Sequence, residues 1–184
     1  MTDAQQFEAL LRNYQNMVFS TAMRLVANTA EAEDISQEVF LKAYERFSEL
    51  SGDARVGGWL KTVAINLSLN HLSRYRARWS FFSEILHRDP AGDEAEIEFA
   101  APDDVEEASS VAERRTMVEH ALRQLPNAQR VPLVLFHLEG MKYEEIAAKL
   151  GVSLGKVKTD IFRGRETLRN KLGPQLQDDW RPRA

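Results

Sequence analysis

Residues 143–172 read YEEIAAKLGVSLGKVKTDIFRGRETLRNKL, and the fold of the chain turns on how this stretch is understood. Tyr143, Ile146, Ala147 and Leu150 fall at i, i+3, i+4 and i+7, the spacing of a short helix with one apolar stripe. Gly151 stands where a glycine ends such a helix, and Ser153 is a good N-cap for the next. In the second helix Leu154, Val157, Ile161, Leu168 and Leu172 share one face, while Lys156, Thr159, Phe162, Arg163 and Glu166 lie opposite. Two short helices joined by a tight turn with glycine form a helix-turn-helix pattern. Residues 153–172 hold six Lys/Arg and two Asp/Glu, a charge of +4 on a chain whose net charge is −4. A basic helix on an acidic protein is a candidate DNA reader, although a solvated helix packed on a bundle has the same spacing.

Working upstream, residues 104–124 form a predicted helix with Val111, Val118 and Leu122 inward, followed by Leu125. Pro126-Asn127 breaks the chain before another apolar segment, 128–139. Pro132 within it either removes a helical hydrogen bond or shifts the helix start. The stretch 89–107 holds nine acids and no Lys or Arg, with Pro90, Gly92 and Pro102 among them, and reads as a linker. By contrast, 54–83 holds five bases and no acids. The net charge therefore averages two basic surfaces and one acidic connector.

The N-terminal part is also helical. Phe7, Leu10, Leu11, Tyr14, Val18, Ala22 and Leu25 keep a helical period over 4–27, and Asn28 or Thr29 is placed to cap a second helix, 30–47. That helix has an apolar arc of Ile35, Val39, Phe40, Ala43 and Phe47 and an opposite arc of Asp34, Gln37, Glu38, Leu41 and Glu45. A leucine set among acids suggests a docking surface, and a single exposed leucine is the plainer alternative. Residues 48–58, with three glycines, read as a loop.

The helix predicted over 59–78 has a core edge of Leu60, Val63 and Leu67. Along another line lie Thr62, Asn66, Asn70 and Ser73, an uncharged stripe of mediocre helix formers that suits hydrogen bonding to base edges. Arg74, Arg76 and Arg78 would meet phosphate. Trp59, Tyr75 and Trp79 either stack on unpaired bases or belong to the core.

Little of the chain points to catalysis. Glu84 and His87 match half of a di-iron pair, but the second copy and the partner glutamates are missing. No His-Glu-x-x-His, glycine-rich phosphate loop or Gly-x-Ser-x-Gly elbow is present. The absence of cysteine excludes disulfides and thiolate zinc sites, and no apolar run approaches the ~20 residues of a membrane helix. The expectation is a cytoplasmic, all-α protein without catalytic residues, metal or cofactor: two small helical domains joined by an acidic linker, the C-terminal one carrying the helix-turn-helix.

The ordered motifs resemble the extracytoplasmic-function group of bacterial RNA polymerase sigma factors, in the sigma-70 superfamily. The segment AEDISQEVFLKAY, 32–44, is similar to that group's core-polymerase-binding segment, and Trp59-Leu60 with Ala64 and Asn66 to the helix that meets the −10 element. Leu125-Pro126, Arg130, Glu139-Gly140, Tyr143–Ala147, Leu150–Ser153, Val157-Lys158, Arg163–Arg165 and Leu168 are similar to the −35-reading domain. The resemblance implies a region 2-like domain over 1–80, a flexible linker over 81–107, a region 4-like domain over 108–175 and a tail over 176–184. It implies core-polymerase contacts at Asp34, Gln37, Glu38, Leu41 and Glu45, and −10 contacts at Trp59, Lys61, Thr62, Asn66, Asn70, Arg74, Arg76 and Arg78. Ser153, Lys156, Lys158, Thr159, Phe162, Arg163 and Arg165 would serve the −35 element. The implied partners are core RNA polymerase, promoter DNA and an anti-sigma factor, with no membrane insertion.

The chain departs from the family pattern at Lys156, Thr159-Asp160, Val56 and Pro132. A −35 consensus is therefore not carried over. Two other readings share part of these features: a helix-turn-helix repressor or activator that is not a polymerase subunit, and an adaptor whose basic helix binds an acidic partner. The first gives no reason for the 34–44 surface or the 62–73 stripe, and salt-sensitive DNA binding by the isolated C-terminal half would speak against the second.

Overall fold

The computed structural model describes residues 3–83 and 106–173, with side chains described over 3–74 and 114–173. Among the described residues there are eight helices and no strand. The first half contains α1 (Asp3–Val26), α2 (Thr29–Glu45), α3 (Phe47–Leu50) and α4 (Val56–Ser83). The second contains α5 (Glu106–Arg123), α6 (Asn127–His137), α7 (Tyr143–Leu150) and α8 (Leu154–Leu172). Most of the acidic linker, together with Glu84 and His87, lies outside the described residues.

Local chemistry sets the boundaries. Ala27 takes a left-handed φ of 54° to end α1, a conformation that costs a non-glycine residue roughly 1 kcal/mol. Asn28 then caps α2, its side chain accepting from the Glu31 amide at 3.1 Å. The expected loop over 48–58 is shorter than the glycines suggested. Phe47–Leu50 forms a helical turn, and α4 begins at Val56, so Gly57 and Gly58 lie in its first turn. Gly57 has a packing reason, because a Cβ there would stand 2.8 Å from the Tyr14 ring of α1. The same helix runs past 78 to Ser83.

Helices α1, α2 and α4 pack on one another around Val18, Ala22, Val39, Leu60 and Ala64, all fully buried. Burying each of the larger side chains contributes about 1.5–3 kcal/mol. In the second half α8 packs on α5, α6 and α7 around Leu135, Ile146, Val157 and Ile161. Pro132 stands inside α6 and is buried. Its missing amide leaves the first turn of that helix one hydrogen bond short.

The second core is shared between the halves. Leu25 of α1 and Ile65 of α4 belong to it, with Leu69 and Leu72 packed beside them. Arg130 of α6 fastens the junction: its guanidinium donates to the Leu25 carbonyl at the end of α1 (3.1 Å), to the Leu125 carbonyl (2.7 Å) and to Asn127 Oδ1. Arg24 Nε adds a 2.7 Å bond to Glu119 of α5.

Candidate functional site

Three outward helix faces carry the candidate residues. On α2, the apolar arc of Ile35, Val39 and Ala43 is buried, which turns Asp34, Gln37, Glu38, Leu41 and Glu45 outward together. Leu41 is 65% exposed. Tyr44, inside the 32–44 segment but not among the contacts named from it, is three residues on, 64% exposed and in edge contact with Phe7 at 5.1 Å. Beside these side chains α1 and α2 enclose a groove of about 620 Å³ lined by Phe19, Phe40, Leu41 and Tyr44 among others. Two large exposed apolar side chains at the mouth of an apolar groove suit a protein partner.

The second face belongs to α4. Thr62, Asn66, Asn70 and Arg74 are exposed, as their spacing requires once Leu60 and Ala64 face the core. Trp59 is only partly accessible and packs against the first core, so the core alternative describes its position. Thr62 Oγ1 donates back to the Gly58 carbonyl at 2.8 Å. Lys61 Nζ lies 2.8 Å from Glu139 Oε2, and Asn66 Oδ1 accepts from Lys149 Nζ at 2.6 Å. Arg76 and Arg78 lie in α4, but their side chains fall outside the described residues, as do those of Tyr75 and Trp79.

The third face is that of α8, and its first turn follows the sequence closely. Gly151 adopts a left-handed φ of 65° to end α7, and Ser153 Oγ accepts from the Lys156 amide at 3.2 Å to start α8. Ser153 is thereby occupied as a cap. Val157 and Ile161 are buried, whereas Leu154, expected inward, is 37% exposed. Asp160 turns inward at 8% exposure and pairs with Lys156 Nζ at 2.8 Å. Phe162 is 62% exposed, and Thr159, Arg163 and Lys158 are also exposed. Thr159 Oγ1 donates to the Gly155 carbonyl at 2.9 Å, which leaves its methyl group for apolar contact.

An aromatic rail supports this helix from below. The Phe136 and Tyr143 rings stack at 4.5 Å. Lys158 Nζ sits 5.9 Å from the Tyr143 centroid and Arg165 Cζ 5.7 Å from that of Phe136, both within cation–π range. Arg165 Nε also contacts His137 Nε2 at 3.0 Å, so Arg165 is oriented along the rail. Burial of the ring, and then the Arg165 charge, hold His137 below the ordinary histidine pKa. Burial lowers Arg130 to about 10, with Glu31 pulling the other way, so it stays charged at neutral pH. Among the described residues no cluster of His, Cys, Asp or Glu is arranged to hold a metal, and no helix is long and apolar enough to cross a membrane.

The arrangement is one of surfaces for binding: an apolar-and-acidic face on α2, an uncharged stripe with bases on α4, and a basic helix-turn-helix. Comparison with known proteins agrees. The family described as Sigma-70 region 2 matches residues 10–78, and that described as Sigma-70, region 4 matches residues 115–168. The RNA polymerase sigma-H factor of Pseudomonas aeruginosa is 34% identical over 96% of this chain and 91% of its own length. The ECF RNA polymerase sigma-E factor of Escherichia coli K12 is 31% identical over 95% of this chain and 91% of its own. The sigma factor RpoE of Bartonella quintana, crystallised with the anti-sigma factor NepR, has a similar fold, with a TM-score of 0.55 at 22% identity over 92% of this chain and 98% of that one. With both region matches in order along one chain, and relatives aligned over almost its full length, this protein belongs to the extracytoplasmic-function group of sigma-70 RNA polymerase sigma factors.

Proposed function

We propose that this sigma factor binds core RNA polymerase through the outer face of α2 and directs it to promoters through α4 and α8. The observation that carries the reading is the α2 face, where Leu41 and Tyr44 stand 65% and 64% exposed beside an apolar groove. A repressor acting without polymerase has no use for that face. On this reading Asp34, Gln37, Glu38 and Glu45 surround the apolar contact and set its register.

Thr62, Asn66 and Asn70 hydrogen-bond bases of an opened −10 element, with Lys61, Arg74, Arg76 and Arg78 on its phosphates. Extruding a base costs a few kcal/mol, and pocket contacts and stacking offset it. The N-terminal part of α8 enters the −35 major groove, where Arg163, Thr159 and Phe162 face the base edges and Lys158 the backbone. The protein acts by binding, without catalysis, in the cytoplasm, and an anti-sigma factor controls it by covering these faces. Its working units are 1–80 and 108–175, joined by the acidic linker 81–107 and followed by the tail 176–184.

Transcription from genomic fragments by purified core polymerase, with and without this protein, tests the proposal. Specific initiation is expected only when the protein is present. Leu41→Glu should abolish that stimulation and core binding while changing stability by no more than about 0.5 kcal/mol, as for other surface substitutions. Unchanged core affinity in Leu41→Glu moves the docking face elsewhere. A polymerase pull-down that fails while promoter binding persists favours the repressor or activator alternative.

A further inference from the structure

The centre line of the outward face of α8 carries no ionic side chain over its first two turns. Val157, Asp160, Ile161 and Gly164 are buried. The line opposite them runs through Gly155, Thr159, Phe162 and Glu166, at steps of four, three and four. Gly155 and Thr159 are exposed, and Phe162 is 62% exposed. Glu166 closes the line and is paired with Arg169 at 2.6 Å. The cations stand to either side. Lys156 is turned to Asp160 at 2.8 Å, with Arg163 two turns further along the same flank. On the other flank Lys158 lies over the Tyr143 ring and Arg165 over that of Phe136. The fold of the chain explains neither Gly155 nor Phe162. Nothing lies within 4 Å of a Cβ built at Gly155, and its φ is not left-handed, yet glycine inside a helix is destabilising relative to alanine. Phe162 belongs to neither apolar core.

Thr159 narrows the chemistry of this line. Its hydroxyl donates to the Gly155 carbonyl at 2.9 Å, so that proton is not offered to a base, and the γ-methyl is the group left for contact. In a major groove the 5-methyl of thymine is the one apolar group among hydrogen-bonding edges. A phenyl ring set against the other edges would strip their donors and acceptors of water without replacing it, which is unfavourable. We infer that Thr159 and Phe162 read thymine 5-methyl groups of the −35 duplex. The centre of α8 then discriminates by apolar contact, and its hydrogen bonds and ion pairs to DNA lie on the flanks. The inference rests on the placement of α8 in the −35 major groove proposed above. Gly155 fits the same picture, because a first turn without a side chain lets the helix approach the base edges closely.

The test uses the full chain and duplexes that it selects from a randomised library. Each thymine of a selected duplex is replaced singly by uracil, which removes the methyl group and leaves the hydrogen-bonding edges in place. At one or two positions affinity should fall about three- to fivefold, the worth of one buried methyl group. A second measurement leaves the protein unaltered: at those positions 5-methylcytosine should bind more tightly than cytosine by a similar factor. Thr159→Ser keeps the hydroxyl and loses the methyl, and it should abolish the uracil penalty at the position it contacts. Thr159→Val keeps the methyl and loses the hydroxyl, and it should retain that penalty. Phe162→Ala should abolish the penalty where the ring lies. Uracil without effect at every position overturns the inference, as does a penalty that Thr159→Ser and Phe162→Ala both leave unchanged. If Thr159→Val loses the penalty together with Thr159→Ser, the hydroxyl is the reader and the methyl assignment is wrong. Initiation with core polymerase is measured separately. If the unaltered protein supports it while uracil is neutral, only the methyl reading fails; if the protein neither initiates nor selects a duplex, the assignment of α8 fails with it.

Discussion

The two faces proposed to meet DNA are organised by partners at very different distances along the chain. On α8 the charged groups are ordered from within their own half: Lys156 by Asp160 four residues on, Lys158 by the Tyr143 ring, Arg165 by His137 and Phe136. On α4 the corresponding groups are held from across the molecule, Asn66 by Lys149 at a separation of 83 residues and Lys61 by Glu139. A face ordered locally is ready before any partner arrives. A face ordered by a distant segment depends on how the two halves pack. On the function proposed above, that difference sets a locally ordered α8 against an α4 whose Lys61 and Asn66 are held from the other half.

The strongest way to break the comparison is at Arg130. Arg130→Leu removes the donor to the Leu25 and Leu125 carbonyls in a buried junction. A cost on the order of 3 kcal/mol is expected, given the worth of hydrogen bonds from a charged donor and the penalty for orphaned carbonyls. Chemical denaturation measures it, and a loss below about 1 kcal/mol would mean that the junction is held by its apolar contacts alone.

Gly164 tests the other side. A Cβ there would stand 2.9 Å from Leu133 Cδ1 and 3.3 Å from the Gln129 carbonyl, where α6 and α8 meet. Gly164→Val should therefore cost about 1–3 kcal/mol by overpacking. It should weaken duplex binding more than single-strand binding, because it displaces α8 and leaves α4 in place. Equal losses on the two probes would show that the faces are not separately organised.

Base preference provides a finer contrast within α8. Arg163→Ala should relax selectivity at one or two −35 positions, with discrimination of about 1–3 kcal/mol lost for a bidentate guanine contact. Lys158→Ala should lower binding evenly over a library of −35 variants, as a phosphate contact would. Asp160→Asn removes the partner that holds Lys156 and should raise affinity evenly. A switch of preference at one base pair would instead make Asp160 a reader, against its inward position at 8% exposure.

The sequence was most informative where the determining contacts are short-range. The Gly151 and Ser153 punctuation, the Lys156–Asp160 pair and the outward arc of α2 all depend on residues within one or two helical turns, and each could be read from spacing. Tyr44 was legible in the same way, three residues beyond Leu41, but neither arc read from the spacing included it, and its position depends on Phe7 and the groove. The start of α4 was misjudged because Gly57 and Gly58 resemble a loop, while the first turn of a helix tolerates them and Tyr14 needs the space. Glu139 and Lys149 were not legible as partners of α4. No local pattern marks a contact between residues some eighty positions apart, and both side chains look like ordinary surface charges in sequence.

The smallest expected effect is a titration. His137 contacts the Arg165 guanidinium at 3.0 Å and meets the Phe136 ring edge-on at 4.9 Å. Its pKa is lowered, so the unfolded chain binds the proton more readily than the folded one. The His137 contribution to stability is then complete above the unfolded value near 6.5 and is lost as pH falls through 6.5 toward the lowered folded value. Because the site is open to solvent the loss should be only about 0.2–0.5 kcal/mol, the scale of exposed ionic pairs. It should be visible as a difference in pH dependence between the wild type and His137→Gln. Following the His137 ring protons by NMR gives the direct measurement. Titration below the ordinary histidine range is expected, moving upward in Arg165→Gln as one of its two causes is removed. The comparison of faces adds a sharper requirement: Lys149→Ala, which acts on α4, should leave the His137 titration unchanged. If Lys149→Ala shifts it as Arg165→Gln does, the α8 rail is coupled to the junction between the halves and is not the locally ordered face described here.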